Sequence, residues 1–273
     1  MTTPLISAAA LAAELDNVCV LDARLTPDAA KAFAAEHVRG ARFVDGGREL
    51  SDPTVLPEVG GRHPFPPPEA FIARIVGWGI DRDTPVVVYD DQGGRLAAAR
   101  AWWMLRAVGV RSVRVLDGGL QAAAALGLTE AGSTSGSRQP ATPWPAASWP
   151  GVVDIAGVRQ ALAAGRPVLD ARPGARFRGE EEHYDPVAGH MPGATSAPCA
   201  ANLSADNTFR SPAELRAHYA PLVAAGPPIV SCGSGITACH DALAMAVAGL
   251  PSPELFVGSW SLWSRTGGAV ATG

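Results

Sequence analysis

Leu-Asp-Ala-Arg occurs twice in the chain, at Leu21–Arg24 and at Leu169–Arg172, each time closing an apolar run. A histidine-led loop follows each copy, H-V-R-G-A from His37 and H-M-P-G-A from His190. Strand-like runs come next, Val86–Tyr89 and Ile229–Ser231, and each leads through a glycine-containing loop into an alanine-rich helical segment. The series ends with R-V-L-D-G-G-L at Arg114–Leu120 and L-F-V-G-S-W at Leu255–Trp260. Self-similarity in a fixed order marks an internal repeat. A chain of 273 residues could hold two ordinary domains or one large barrel, and the repeat decides for two.

The stretch Thr129–Gly151 is rich in Ser, Thr, Pro and Gly and has neither helical nor strand period, as in a linker. The expected division is a first domain over residues 1–130, a linker over 131–150 and a second domain over 151–273. Within each half, short β-branched runs alternate with helical segments, the pattern of a parallel sheet covered by helices on both faces. The expected fold is therefore α/β, with two tandem domains of one design. Such sheets bind ligands beyond the carboxyl ends of their strands, which points to the loops after Tyr89 and Ser231.

Apolar residues make up 47% of the chain and charged residues 18%, enough for real cores and against global disorder. The formal net charge of -4, without blocks of like charge, gives no footprint for nucleic acid or an anionic membrane, so a small-molecule partner is expected. No apolar run approaches the roughly 20 residues that span a bilayer. Ser7 before an Ala/Leu-rich run predicts a helix N-cap rather than a signal peptide. The four cysteines, Cys19, Cys199, Cys232 and Cys239, form no C-x-x-C pair and no disulfide framework. Reduced thiols and a cytoplasmic setting follow, with no metal site.

Cys232 ends a strand and opens the loop C-G-S-G-I-T-A-C, Cys232–Cys239, which runs into a helix. Gly233 and Gly235 let successive N–H groups turn inward as an anion-binding nest, and the helix start adds partial positive charge. Cysteines in such places have pKa values lowered to roughly 3.5–7.5, which makes Cys232 a candidate nucleophile. The other three cysteines read as packing residues. In the first half Asp90 stands where Cys232 stands in the second, and a carboxylate cannot take the place of a thiolate nucleophile. The first half is thus expected to be a non-catalytic copy. A C-x5-R phosphatase cradle is excluded, because the arginine position falls on Ala238.

Together these motifs, with W-W-M-L-R at Trp102–Arg106, G-H-M-P-G-A at Gly189–Ala194 and G-S-W-S-L-W at Gly258–Trp263, resemble the tandem rhodanese-like sulfurtransferases nearly end to end. That family comprises thiosulfate and 3-mercaptopyruvate sulfurtransferases. The resemblance implies a C-terminal cysteine that carries sulfur as a persulfide, with no cofactor. It implies a small-molecule donor and a thiol, thioredoxin-like or cyanide acceptor. The loop C-G-S-G-[VI]-T is similar to the mercaptopyruvate branch, with thiosulfate, or a non-enzymatic carrier role, as the alternatives. By the same resemblance Ser234 and His63 join Cys232 as catalytic residues, and Gly233, Gly235, Ile236, Thr237 and Arg176 contact the donor. Two family positions depart. The aspartate position counts to Gly47, with only Asp45 near. The second donor arginine falls in E-E-E-H-Y-D-P, leaving Arg178 or Arg95 as substitutes.

Overall fold

A computed structural model describes residues 3–132 and 139–273 of the chain. Residues 133–138 of the expected linker lie outside the described residues. The chain forms two compact units: residues 1–51, 65–150 and 204–209 in the first, and residues 52–64, 151–203 and 210–273 in the second.

The first unit carries strands β1 (Leu5–Ile6), β2 (Cys19–Arg24), β3 (His37–Val38), β4 (Arg42–Asp45), β5 (Val86–Tyr89), β6 (Val113–Leu116) and β7 (Thr129–Glu130). Five of them form one sheet in the order β1-β6-β5-β2-β4, all parallel, while β3 and β7 pair antiparallel. The second unit holds β8 (Val168–Asp170), β9 (Thr195–Ser196), β10 (Ile229–Ser231) and β11 (Glu254–Leu255), in the parallel order β11-β10-β8-β9. The order β6-β5-β2-β4 in the first unit is repeated by β11-β10-β8-β9 in the second. The correspondence continues at the edge, where Val152 bridges Leu255 in parallel as β1 pairs with β6. Both units are therefore parallel sheets whose strands are linked through helices, as parallel neighbours require.

The repeated motif explains itself physically. All six residues of β2 are buried, as in a central strand covered on both faces, so its charged residues must pair. Arg24 grips Asp22 through Nε–Oδ1 at 2.7 Å and Nη2–Oδ2 at 2.8 Å, and Nη2 also donates to the Glu36 carbonyl at 2.7 Å. Arg172 grips Asp170 in the same way and donates to the Gly189 carbonyl at 2.8 Å. Each arginine thus ties its strand end to the residue just before the loop histidine. The histidine then stacks on a phenylalanine, Phe33–His37 at 3.9 Å and Phe177–His190 at 3.7 Å between centroids. The same pairs recur in both units.

The described part of the linker is anchored on the first unit. Trp149 packs against Phe65, Phe71 and Trp103, and Trp144 Nε1 donates to the Val108 carbonyl at 2.7 Å. Among the described residues no helix is long and apolar enough to cross a membrane.

In the second unit the helix Ala238–Val247 buries Asp241, whose Oδ1 accepts from Asn202 Nδ2 at 2.9 Å. Desolvation raises its pKa from 3.8 to about 8. An acid whose folded pKa is raised holds its proton in the fold after the unfolded chain has released it. Stability therefore falls as pH rises between about 4 and 8. Asp241→Asn keeps the acceptor to Asn202 and should remove that slope. Urea midpoints from pH 5 to pH 8 should drop more steeply for the wild type than for the variant.

Candidate active site

β10 ends at Ser231, and the next residue, Cys232, is buried to 1% exposure. Its thiol is nevertheless met by a donor: the Gly235 N–H lies 3.1 Å from Sγ. That aim depends on Gly235, which has φ +74° and sits so close to β11's continuation that a Cβ would lie 2.5 Å from the Val257 carbonyl. Only glycine takes both the left-handed conformation and the close approach without strain. Gly233 differs. Its φ is ordinary, but a Cβ there would come within 3.2 Å of Arg176 Nη1 and 3.3 Å of Arg62 Nη2. Its small size keeps two guanidinium groups close to the nucleophile's neighbour.

Ser259 fixes the cysteine from the other side. The Cys232 N–H donates to Ser259 Oγ at 3.1 Å, and that hydroxyl donates to the Phe256 carbonyl at 2.8 Å. Ser259 is fully buried with φ 52°, an uncommon conformation for a residue with a side chain. Trp260 N and Ser261 N then donate to the carbonyls of Cys232 and Gly233, both at 2.9 Å. The G-S-W turn thereby holds the start of the cysteine loop. Trp260 itself is a packing residue, with Arg172 over its ring at 4.7 Å.

The first unit shows what this loop geometry accepts. Asp90 follows β5 as Cys232 follows β10, and its carboxylate takes four backbone donors, Gln92 and Gly94 on Oδ1 and Leu96 and Ala98 on Oδ2. Burial pushes its pKa up while these four N–H groups pull it down. A strand-end loop of this build is an anion cradle, filled in the first unit by its own side chain.

Residues 52–64, although early in sequence, belong to the second unit. The segment is held there by the Arg62 N–H to Ser261 Oγ at 3.1 Å and by close backbone approach of Gly61 to Gly258. It brings His63 to the cysteine loop, with Nδ1 3.0 Å from Ser234 Oγ. Ser234 and Ile236 are buried, and Thr237 is half-buried just before the helix. The structure thus gathers Cys232, Gly233, Ser234, Gly235, Ile236, Thr237, His63 and Arg176 in one unit.

Three expectations need correction. Gly47 and Asp45 lie in the first unit, where Asp45 Oδ1 caps a turn by accepting the Gly47 N–H at 2.9 Å. In the His63 segment, the Asp52 N–H donates to the Pro64 carbonyl at 3.0 Å, and Asp52 Oδ1 accepts from the Thr54 N–H and hydroxyl. Arg178 does not face Gly233 as Arg176 does. Two residues apart on the short helix Gly174–Arg178, the pair cannot share a face, and Arg178 forms an exposed ion pair with Glu180 at 2.6 Å. Arg95 belongs to the first unit, bonded to Gln92 at 3.3 Å. The guanidinium that accompanies Arg176 at Gly233 is Arg62, which sequence reasoning passed over.

Two parallel-sheet units of one design, with a glycine-rich cysteine loop at a strand end, are the arrangement of a rhodanese-like protein. Residues 7–126 match the family described as Rhodanese-like domain. The chain is 41% identical to the Pseudomonas aeruginosa protein named "Probable 3-mercaptopyruvate sulfurtransferase", over 95% of this chain and 94% of that one. It is 42% identical to the Mycobacterium tuberculosis protein named "Putative thiosulfate sulfurtransferase SseB", over 95% and 93%. Among solved structures, SseA of Escherichia coli, a 3-mercaptopyruvate sulfurtransferase, superimposes with a TM-score of 0.79 at 34% identity, over 95% of this chain and 99% of that one. The chain belongs to the rhodanese-like sulfurtransferase family. It is a sulfurtransferase, and its substrates are a small sulfur donor and an acceptor.

The two loop glycines should respond differently to alanine. Gly235→Ala forces both a left-handed residue and a backbone clash, and should cost about 2–4 kcal/mol by chemical denaturation. Gly233→Ala meets only the ends of flexible arginines, so its cost should stay within about 1 kcal/mol.

Proposed function

We propose that Cys232 accepts sulfur from 3-mercaptopyruvate and holds it as a persulfide before passing it to a thiol, a thioredoxin-like protein or cyanide. The reading rests on one observation: the Gly235 N–H aimed at Sγ from 3.1 Å, in a loop whose counterpart cradles a carboxylate. The chemistry falls to residues 151–273 joined by residues 52–64, with the linker at 131–150, and the rest of residues 1–130 forms the non-catalytic copy, because Asp90 cannot carry sulfur.

The thiolate of Cys232 attacks the donor's sulfur. A new S–S bond forms as the C–S bond of the donor breaks, and its electron pair leaves on carbon as the enolate of pyruvate. The proton of the donor thiol then neutralises that carbon, leaving Cys232 as a persulfide anion. Ser234 and His63, in contact at 3.0 Å, provide a route for this proton. Burial of Cys232 shields the outer sulfur from water until an acceptor attacks it. Splitting the transfer in two predicts ping-pong kinetics. All four cysteines are free, which suits a reducing, cytoplasmic compartment.

The similarity to SseB favours thiosulfate as the second reading. In that case the S–S bond of the donor breaks and sulfite leaves, with no carbon to protonate. Mass spectrometry after donor treatment should show a gain of one sulfur in the wild type and none in Cys232→Ser. An unmodified wild-type cysteine would count against the scheme. Ser234→Ala should lower kcat/KM for 3-mercaptopyruvate by roughly 10- to 100-fold and leave thiosulfate turnover within a few-fold, since only the first donor needs the proton.

A further inference from the structure

Arg62 carries an arrangement that an ordinary structural arginine does not need. Its Nη1 forms an ion pair with Asp185, a carboxylate with no side-chain exposure, and its guanidinium lies 5.2 Å over the Tyr184 ring. Arg176 is built in on the same frame. It lies 5.0 Å over the same ring, pairs with Glu182 at 2.7 Å and approaches Asp185 Oδ2 at 3.6 Å. Arg265 adds a third cation on Asp185 at 2.7 Å. Tyr184 and Asp185 therefore fix two guanidinium planes from behind.

The two guanidinium groups point one way. Arg176 Nη1 and Arg62 Nη2 lie 3.2 and 3.3 Å from where a Cβ on Gly233 would stand, next to Cys232. Two guanidinium groups held on one frame and converging on one spot suit a small planar anion.

We propose that Arg62 is the second donor-binding guanidinium, clamping the carboxylate of an α-keto acid donor together with Arg176. This rests on the sulfur-transfer reading above and names what recognises the donor. The clamp replaces the arginine absent from E-E-E-H-Y-D-P. That loop instead contributes Glu182 and Asp185, which hold the clamp open at fixed geometry.

The test compares 3-mercaptopyruvate with its uncharged methyl ester as donors, using the full chain and one acceptor. In Arg62→Ala, KM for the acid should rise roughly 10- to 100-fold with kcat changed only a few-fold, because Arg62 holds the end of the donor away from the breaking bond. Turnover of the ester should stay near wild type, so the acid-to-ester ratio of kcat/KM should collapse. Arg62→Lys should recover only part of it, since an ammonium cannot fork a carboxylate. A merely structural Arg62 would lower both donors together. That result, or an unchanged ratio in a variant with wild-type thermal stability, would overturn the proposal. Failure of both donors to load Cys232 in the wild type would instead overturn the sulfur-transfer reading.

Discussion

A buried anion needs donors, and the backbone supplies them at the same place in both repeats. The loop after the second central strand turns its N–H groups inward, toward whatever the strand-end residue presents. In the first unit that is Asp90, with four donors satisfied by one carboxylate. In the second it is Cys232, a shorter side chain whose Sγ takes the Gly235 N–H at 3.1 Å and lies 3.9 Å from Ser259 Oγ. A carboxylate oxygen stands one bond further from Cβ than a thiol sulfur does, as the outer sulfur of a persulfide would.

Around the cradle, cations are held under restraint. Asp185 and Glu182 neutralise most of the arginine charge near Gly233, and Tyr184 supplies a flat backing for two guanidinium planes. Removing the carboxylates would leave a strongly cationic pocket beside Cys232, which would grip any anion and release product slowly. Restraint of this kind favours turnover over affinity.

The two parallel-sheet units and the strand-end position of Cys232 were both legible in the sequence, because a repeat constrains topology and the β-branched run Ile229–Ser231 stops just before the cysteine. Ser234 and His63 were legible only through resemblance, yet the fold puts them 3.0 Å apart across 171 residues of chain. The place of Arg62 beside Gly233 was not legible. Nothing local in G-R-H marks it, and it depends on the segment 52–64 joining the second unit. Ser259 was quoted for its tryptophans, because a left-handed serine leaves no trace in composition.

Each compact unit also borrows a short piece of the other repeat: residues 52–64 serve the second, and residues 204–209 the first, where Phe209 N–H donates to Asp117 at 2.7 Å. The gene's duplication boundary and the molecule's seams therefore do not coincide. A copy that lost its own reactive residue could not be discarded by later deletion, because Arg62 and His63 ride on its half of the polypeptide. Such interlacing gives a plain reason for an inert duplicate to persist.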